Sequence, residues 1–212
     1  MKNLNVNRPK FPILRCLTVC AFATLSACSS SPDPNLYLLK STDGPAISQA
    51  NTNVAVVVGP ITMSEYLKRS EVVYQTNTHD VKINENERWA ESLERNITSV
   101  ITSNLAAYLN TDQAFNYYAN FSTQPDYSVK LNVTEFGRVS YDTVSLSVSW
   151  ELVNKSTRQS TLYLENIKAP IHYSGDSKDG PNVSDVVAAM NEALNELSLT
   201  IANRIIGKNP IL

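Results

Sequence analysis

The chain has 212 residues, 18 basic and 20 acidic, for a formal charge of −2. That is enough for one ordinary domain, and the acidic balance excludes the clustered Lys and Arg that nucleic-acid binding requires. The three cysteines all lie within the first 28 residues, so the rest of the chain holds no disulfide framework, thiolate zinc site or cysteine nucleophile.

Residues 1–27 read as a targeting segment. Lys2, Arg8, Lys10 and Arg15 form a positive start without any acid, and Cys16 to Leu25 is a mostly apolar run of ten residues. A membrane-spanning helix needs about 20. Leu25-Ser26-Ala27-Cys28 is a lipobox, with a branched apolar residue three positions before the cysteine and small residues at the cleavage point. The thiol of Cys28 takes a diacylglyceryl group, and cleavage frees its amine for a further acyl chain. Cys28 is therefore the predicted lipidation site and the first residue of a mature chain of 185 residues. Removing four basic residues leaves 14 basic against 20 acidic side chains, a charge of −6.

Residues 28–35 form a polar tether with Pro32 and Pro34, which holds a domain off a bilayer. Ser29 stands after the cysteine where aspartate is the usual inner-membrane retention signal, so the expected destination is the periplasmic face of the outer membrane. The domain proper then occupies residues 36–212.

Leu36 to Leu39 reads as a short strand, and 41–53, with Gly44 and Pro45, as a loop. Val54 to Val58 is a continuous apolar run stopped by Gly59-Pro60, as expected of a strand covered on both faces in mid-sheet. Ile61 to Arg69 comes next as a connector, then a strand over 72–76 and a short one at 81–83. Asn84 or Asn86 is a fitting cap for a helix over about 88–109. There Trp89, Leu93, Ile97, Val100, Ile101, Leu105, Tyr108 and Leu109 make one apolar stripe, and Glu94, Arg95, Asn96, Ser99 and Ser103 lie opposite.

Residues 114–121 are aromatic-rich and read as a strand. The strict alternation of Val129, Leu131 and Val133, and of Val144, Leu146, Val148, Trp150 and Leu152, predicts a hairpin with one covered and one wet face. A third strand over about 159–167 completes a meander, and Pro170 restricts Ile171 to Tyr173 to a sheet edge or a strand end. A last helix opens at Asn182 or Ser184 and stops at Gly207. The predicted fold class is α+β: a mixed, largely antiparallel sheet with two long amphipathic helices packed on one face.

Catalytic and metal-binding readings find little support. His79 and His172 stand in a polar turn and near a strand end, and the sequence holds no nucleophile elbow, P-loop, dinucleotide fingerprint or His-x-x-x-His pair. Asp176 to Gly180 looks like a calcium loop but lacks the closing glutamate, and reads as a turn. Asn-x-Ser/Thr triplets, among them those beginning at Asn96, Asn120, Asn132 and Asn182, are what chance produces in a chain rich in these residues. Trp89 and Trp150 sit in register with apolar stripes and read as core. No enzyme, cofactor or metal is expected.

Val57-Val58-Gly59-Pro60-Ile61, Glu65-Tyr66-Leu67-Lys68-Arg69, Val72-Val73-Tyr74 and Asn86-Glu87-Arg88-Trp89-Ala90-Glu91-Ser92-Leu93, in that order after a lipobox, resemble the ABC-type transport auxiliary lipoprotein component family, of the PqiC/YmbA type. Ser64 stands where that family commonly has proline. The resemblance, over about 36–206, implies a non-enzymatic outer-membrane lipoprotein. It would dock the periplasmic MCE-domain subunit of an intermembrane lipid transport system, with the contact shared among copies in a homo-oligomeric ring. Orientation by the lipid puts that contact away from the tether. Tyr66, Leu67, Lys68 and Arg69, in a connector, are the candidate partner-binding residues, although Tyr66 and Leu67 fit a turn tucked into the core equally well. A free-standing structural or assembly lipoprotein of the envelope is the alternative, and a periplasmic hydrolase the third reading.

Overall fold

The meander expected over about 129–167 runs from Tyr127 to Pro170 and is the backbone of the domain. A computed structural model describes residues 33–42, 44, 46–47, 53–75, 80–119, 122–173 and 180–207. The leader, Cys28, His79, Asn120, Phe121 and most of the 175–180 loop lie outside the described residues. The strands are β1 (Asn35–Tyr37), β2 (Val56–Met63), β3 (Glu71–Gln75), β4 (Val81–Trp89), β5 (Ala114–Asn116), β6 (Tyr127–Arg138), β7 (Thr143–Asn154) and β8 (Ser160–Pro170). The helices are α1 (Leu93–Leu109) and α2 (Val183–Ile205), and a short 3-10 turn spans Glu65–Lys68.

The fold is α+β, as expected, but the strands form two sheets instead of one. The larger has the order β5-β2-β6-β7-β8 and the smaller β1-β4-β3. In the larger, β2 runs parallel to both neighbours, and β6, β7 and β8 form the antiparallel meander, with Val129 opposite Leu152 and Trp150 opposite Tyr163. The strand buried on both faces is indeed interior, since Val56, Val57 and Val58 are all covered. It does not stop at Gly59-Pro60, however. It passes through them to Met63, with a register shift between Val58 and Ile61 where Pro60 has no amide to donate.

β4 is the larger correction. The short strand expected at 81–83 runs on to Trp89, so Asn84 to Arg88 are strand and not the cap and first turn of a helix, because pairing with β1 on one side and β3 on the other overrides their weak strand propensity. Trp89 ends β4, and α1 begins four residues later behind Ser92, whose side chain accepts from the Arg95 amide. The i, i+4 spacing of Trp89 and Leu93 mimics a helical stripe across this strand-to-helix junction.

α1 packs on β2 and β5, α2 on β6, β7 and β8, and the helices touch each other. Ile97, Ile101, Leu105, Met190, Leu194, Leu197 and Ile201 thus meet Leu146, Val148 and Trp150 in one core. α2 starts at a reciprocal capping box of Asn182 and Asp185. The chain between β1 and β2 is tied to both helices. Leu39 is bonded to Asn96, the Lys40 amide to Asn191 Oδ1, the Thr42 amide to Asn104 Oδ1, and the Ile47 amide to the Tyr108 carbonyl. Asn104 in turn donates to Asn195 and Ser198, so an asparagine seam joins this segment to both helices.

Candidate functional site

The connector Glu65 to Arg69 is held from three sides. Its 3-10 turn packs against α1, the Ser64 hydroxyl donates to the Thr134 carbonyl, and the Ser64 amide donates to the Val133 carbonyl. Leu67 is only 1% exposed and belongs to the core. Tyr66 is half-buried, donating its hydroxyl to the Thr134 carbonyl at 3.2 Å and accepting from Gln75 at 3.3 Å. Burial, with nearby Glu135, raises its pKa above the ordinary tyrosine value. Both residues serve the fold. Lys68 and Arg69 remain accessible, Lys68 paired with Glu65 and Arg69 with Glu71 at 3.3 Å. Glu71 has a lowered pKa, through its own backbone amide first and Arg69 second.

The position of this connector conflicts with the expected orientation. Asn35 pairs with Glu87 and Leu36 with Arg88, while Arg88 also pairs with Glu71 and the Trp89 amide donates to Ser70. Two strand spacings, about 10 Å, separate β1 from β3, so Arg69 lies close to where the chain joins the domain. A contact surface remote from the tether and a contact surface at Lys68 and Arg69 are different places.

An exposed apolar feature that sequence reasoning did not single out lies on β8. Leu162 and Leu164 are 64% and 78% exposed, on the sheet face away from the helices. The signal was present: Leu162, Tyr163 and Leu164 put apolar groups on both faces of one strand. Tyr163 stacks on buried Trp150 at 4.3 Å and lies under the Arg204 guanidinium, which leaves the two leucines to the outside.

A second exposed cluster stands at the first turn of α1. Tyr118 donates its hydroxyl to Glu94, meets Tyr117 edge-on at 5.5 Å and lies beneath Arg95. The bond to Glu94 and then partial burial push its pKa up to about 12. His172 is exposed just beyond β8, and Trp89 and Trp150 are both core residues. Among the described residues no group of three or more His, Cys, Asp or Glu gathers to hold a metal, and no helix is long and apolar enough to cross a membrane.

Two helices on one face of a mixed sheet, flanked by a second small sheet, define an α+β domain that two crystal structures share. One is of an uncharacterized protein, 20% identical, covering 82% of this chain and 99% of that one at a TM-score of 0.64. The other is of a Xanthomonas campestris protein of the DUF330 family, 10% identical, covering 81% and 94% at a TM-score of 0.64. These likenesses concern the fold alone. The chain belongs to the family of ABC-type transport auxiliary lipoprotein components, whose model matches residues 37–202. No curated protein matches the sequence.

Proposed function

We propose that this chain is a periplasmic lipoprotein, anchored by Cys28 in the outer membrane, that docks the MCE-domain subunit of an intermembrane lipid transport system without catalysing a reaction. The observation that carries the reading is the family match over 37–202, directly after a lipobox and a polar tether. Two or three acyl chains, at about 0.8 kcal/mol per buried CH₂, make such attachment effectively permanent. The protein then acts through the surfaces it presents.

Two surfaces compete for the contact. Lys68 and Arg69 lie near the tether, and Leu162 and Leu164 lie on the outer face of β8. The test is co-purification of the solubilised lipoprotein with envelope proteins, from cells carrying wild type, Lys68→Glu/Arg69→Glu or Leu162→Ser/Leu164→Ser. Loss of the MCE subunit from one double variant, with folding intact by circular dichroism, assigns that surface. Failure of the wild type to recover any such subunit overturns the reading.

A further inference from the structure

A hollow of about 310 Å³ opens where β3 and β4 meet the start of α2, within the range of small-ligand sites. Its apolar wall is Val72, Val183 and Val186, so its floor is continuous with the core. Its polar groups are Tyr74, Asn84, Glu87, Arg138 and Asn182. We infer that this hollow is a binding site for a small zwitterion, with a primary ammonium held by Glu87 and an anionic group held by Arg138.

Glu87 is brought there by an irregularity in the strand pairing. Val72 faces Asn84 while the adjacent Glu71 faces Arg88, so Glu85, Asn86 and Glu87 fall between two consecutive residues of β3. A bulge of this kind re-aims side chains, and Glu87 comes to line the same hollow as Asn84. One carboxylate oxygen, Oε1, accepts from Asn35 Nδ2 at 3.0 Å. The other, Oε2, is buried and has no hydrogen-bond partner. The Tyr37 phenol lies against the same carboxylate, its pKa raised by burial first and by hydrogen bonding to Glu87 second. A buried carboxylate oxygen without a donor is costly, and a donor brought by a ligand removes that cost.

Arg138 is held as firmly and is equally short of a counter-ion. Its Nε donates to the Ser140 carbonyl at 3.0 Å, and its guanidinium lies 5.6 Å and 5.7 Å from the ring centres of Tyr74 and Tyr141. None of the ion pairs among the described residues involves it. A planar guanidinium fixed between rings presents its remaining donors to an anion. The start of α2 does not serve this purpose, because Asn182 and Asp185 close it on themselves.

A simple anion in this hollow meets the Glu87 carboxylate, and a simple cation meets Arg138. A ligand carrying both charges, with a short apolar spacer against the valines, satisfies both. Phosphoethanolamine is the smallest common compound of this type, and the same chemistry occurs free or as a lipid headgroup. This inference stands independently of the docking reading, since it concerns other residues and a different class of ligand.

The experiment is isothermal titration calorimetry of the full chain with phosphoethanolamine, and with ethanolamine and inorganic phosphate as half-ligands. One saturable site is expected, with each half-ligand at least ~10-fold weaker. Glu87→Gln, which keeps the shape, and Arg138→Gln are each expected to lose ~10-fold or more, with Arg138→Lys recovering part of the loss. Amide resonances of the wild-type protein give a reading that needs no variant: shifts confined to β3, β4, the end of β6 and the start of α2 support the site. Dihexanoyl phosphatidylethanolamine distinguishes the sources. Tighter binding than phosphoethanolamine assigns a lipid headgroup, and equal binding a free compound. No saturable binding by the wild type, shifts elsewhere, or a folded Glu87→Gln that binds as the wild type does overturns the inference.

Discussion

Asn96 makes two hydrogen bonds to one residue, Leu39: its Oδ1 accepts from the Leu39 amide at 2.7 Å and its Nδ2 donates to the Leu39 carbonyl at 3.2 Å. Both residues are buried. The side-chain amide thus satisfies both backbone groups of a segment that has left β1 and joined no other strand. Asn96→Ala leaves these groups unsatisfied, at about 1–3 kcal/mol for each buried group. The expected result is a clear fall in melting temperature, and Asn96→Asp, which loses the donor and adds a charge, is expected to fall at least as far. Thermal unfolding by circular dichroism measures both.

Gly59 has a φ of +115°, and a Cβ added there meets the Tyr117 Cβ at 2.6 Å. A side chain at this position combines backbone strain, about 1–3 kcal/mol, with a clash against the Tyr117 Cβ, next to a backbone amide bonded to the Val58 carbonyl. Gly59→Ala is therefore expected to lower stability by at least that amount and to displace Tyr117. Denaturant unfolding and the tyrosine near-ultraviolet signal provide the measurements.

Trp89→Ala is expected to cost about 3–5 kcal/mol, as a large-to-small change in the core. Trp89 is buried, pairs with Tyr37 and donates its amide to Ser70, so the loss opens the junction of β1, β3 and β4. A melting temperature equal to the wild type, with partner recovery lost, reassigns Trp89 from core to contact surface.

The parts of the fold legible in the sequence are those where one face is wet and the other dry. Val129, Leu131 and Val133 against Leu152, Trp150 and Val148 fix their own register, since a slip of one residue exposes the whole set. β4 is legible only over 81–83, because from Asn84 on its polar residues carry no period-two pattern and its strand character comes from the two partners that flank it. Asn96 falls in sequence on the wet face of α1, since an asparagine looks the same whether it bonds water or a buried backbone. The connector is recognisable, but not the division within it between Leu67 in the core and Lys68 and Arg69 outside. Glu87 escapes notice for the same reason as β4: at the start of an expected helix, it has no hollow to face.

The Tyr118 hydroxyl donates to Glu94, and its pKa is pushed up to about 12 against an ordinary value of 10.0, by that bond first and by burial second. A raised folded-state pKa favours the protonated phenol. The associated stability is present in full below pH 10.0 and is lost as the pH rises through about 12. Alkaline titration of the phenolate absorbance is expected to place Tyr118 among the late-ionising tyrosines, with a step near pH 12. In Glu94→Gln that late step moves toward the ordinary value, because the charged acceptor is gone. A titration unchanged by Glu94→Gln contradicts the assignment.

Cys28→Ala tests the anchor separately from the domain. Diacylglyceryl transfer needs the thiol, and processing comes after lipid attachment, so the variant is expected to keep residues 1–27 or to leave the membrane fraction. Mass spectrometry of the N-terminus and fractionation of the envelope measure these outcomes. The domain itself is expected to be indifferent. β1 begins at Asn35, Leu39 is the first core residue, and residues 34–212 form one compact unit. A chain lacking residues 1–34 is accordingly expected to be soluble and to melt at the same temperature as the detergent-solubilised lipoprotein. Wild-type protein from membranes that still carries residues 1–27 removes the lipobox reading, whereas a truncated chain that fails to fold shows that the tether contributes to the domain.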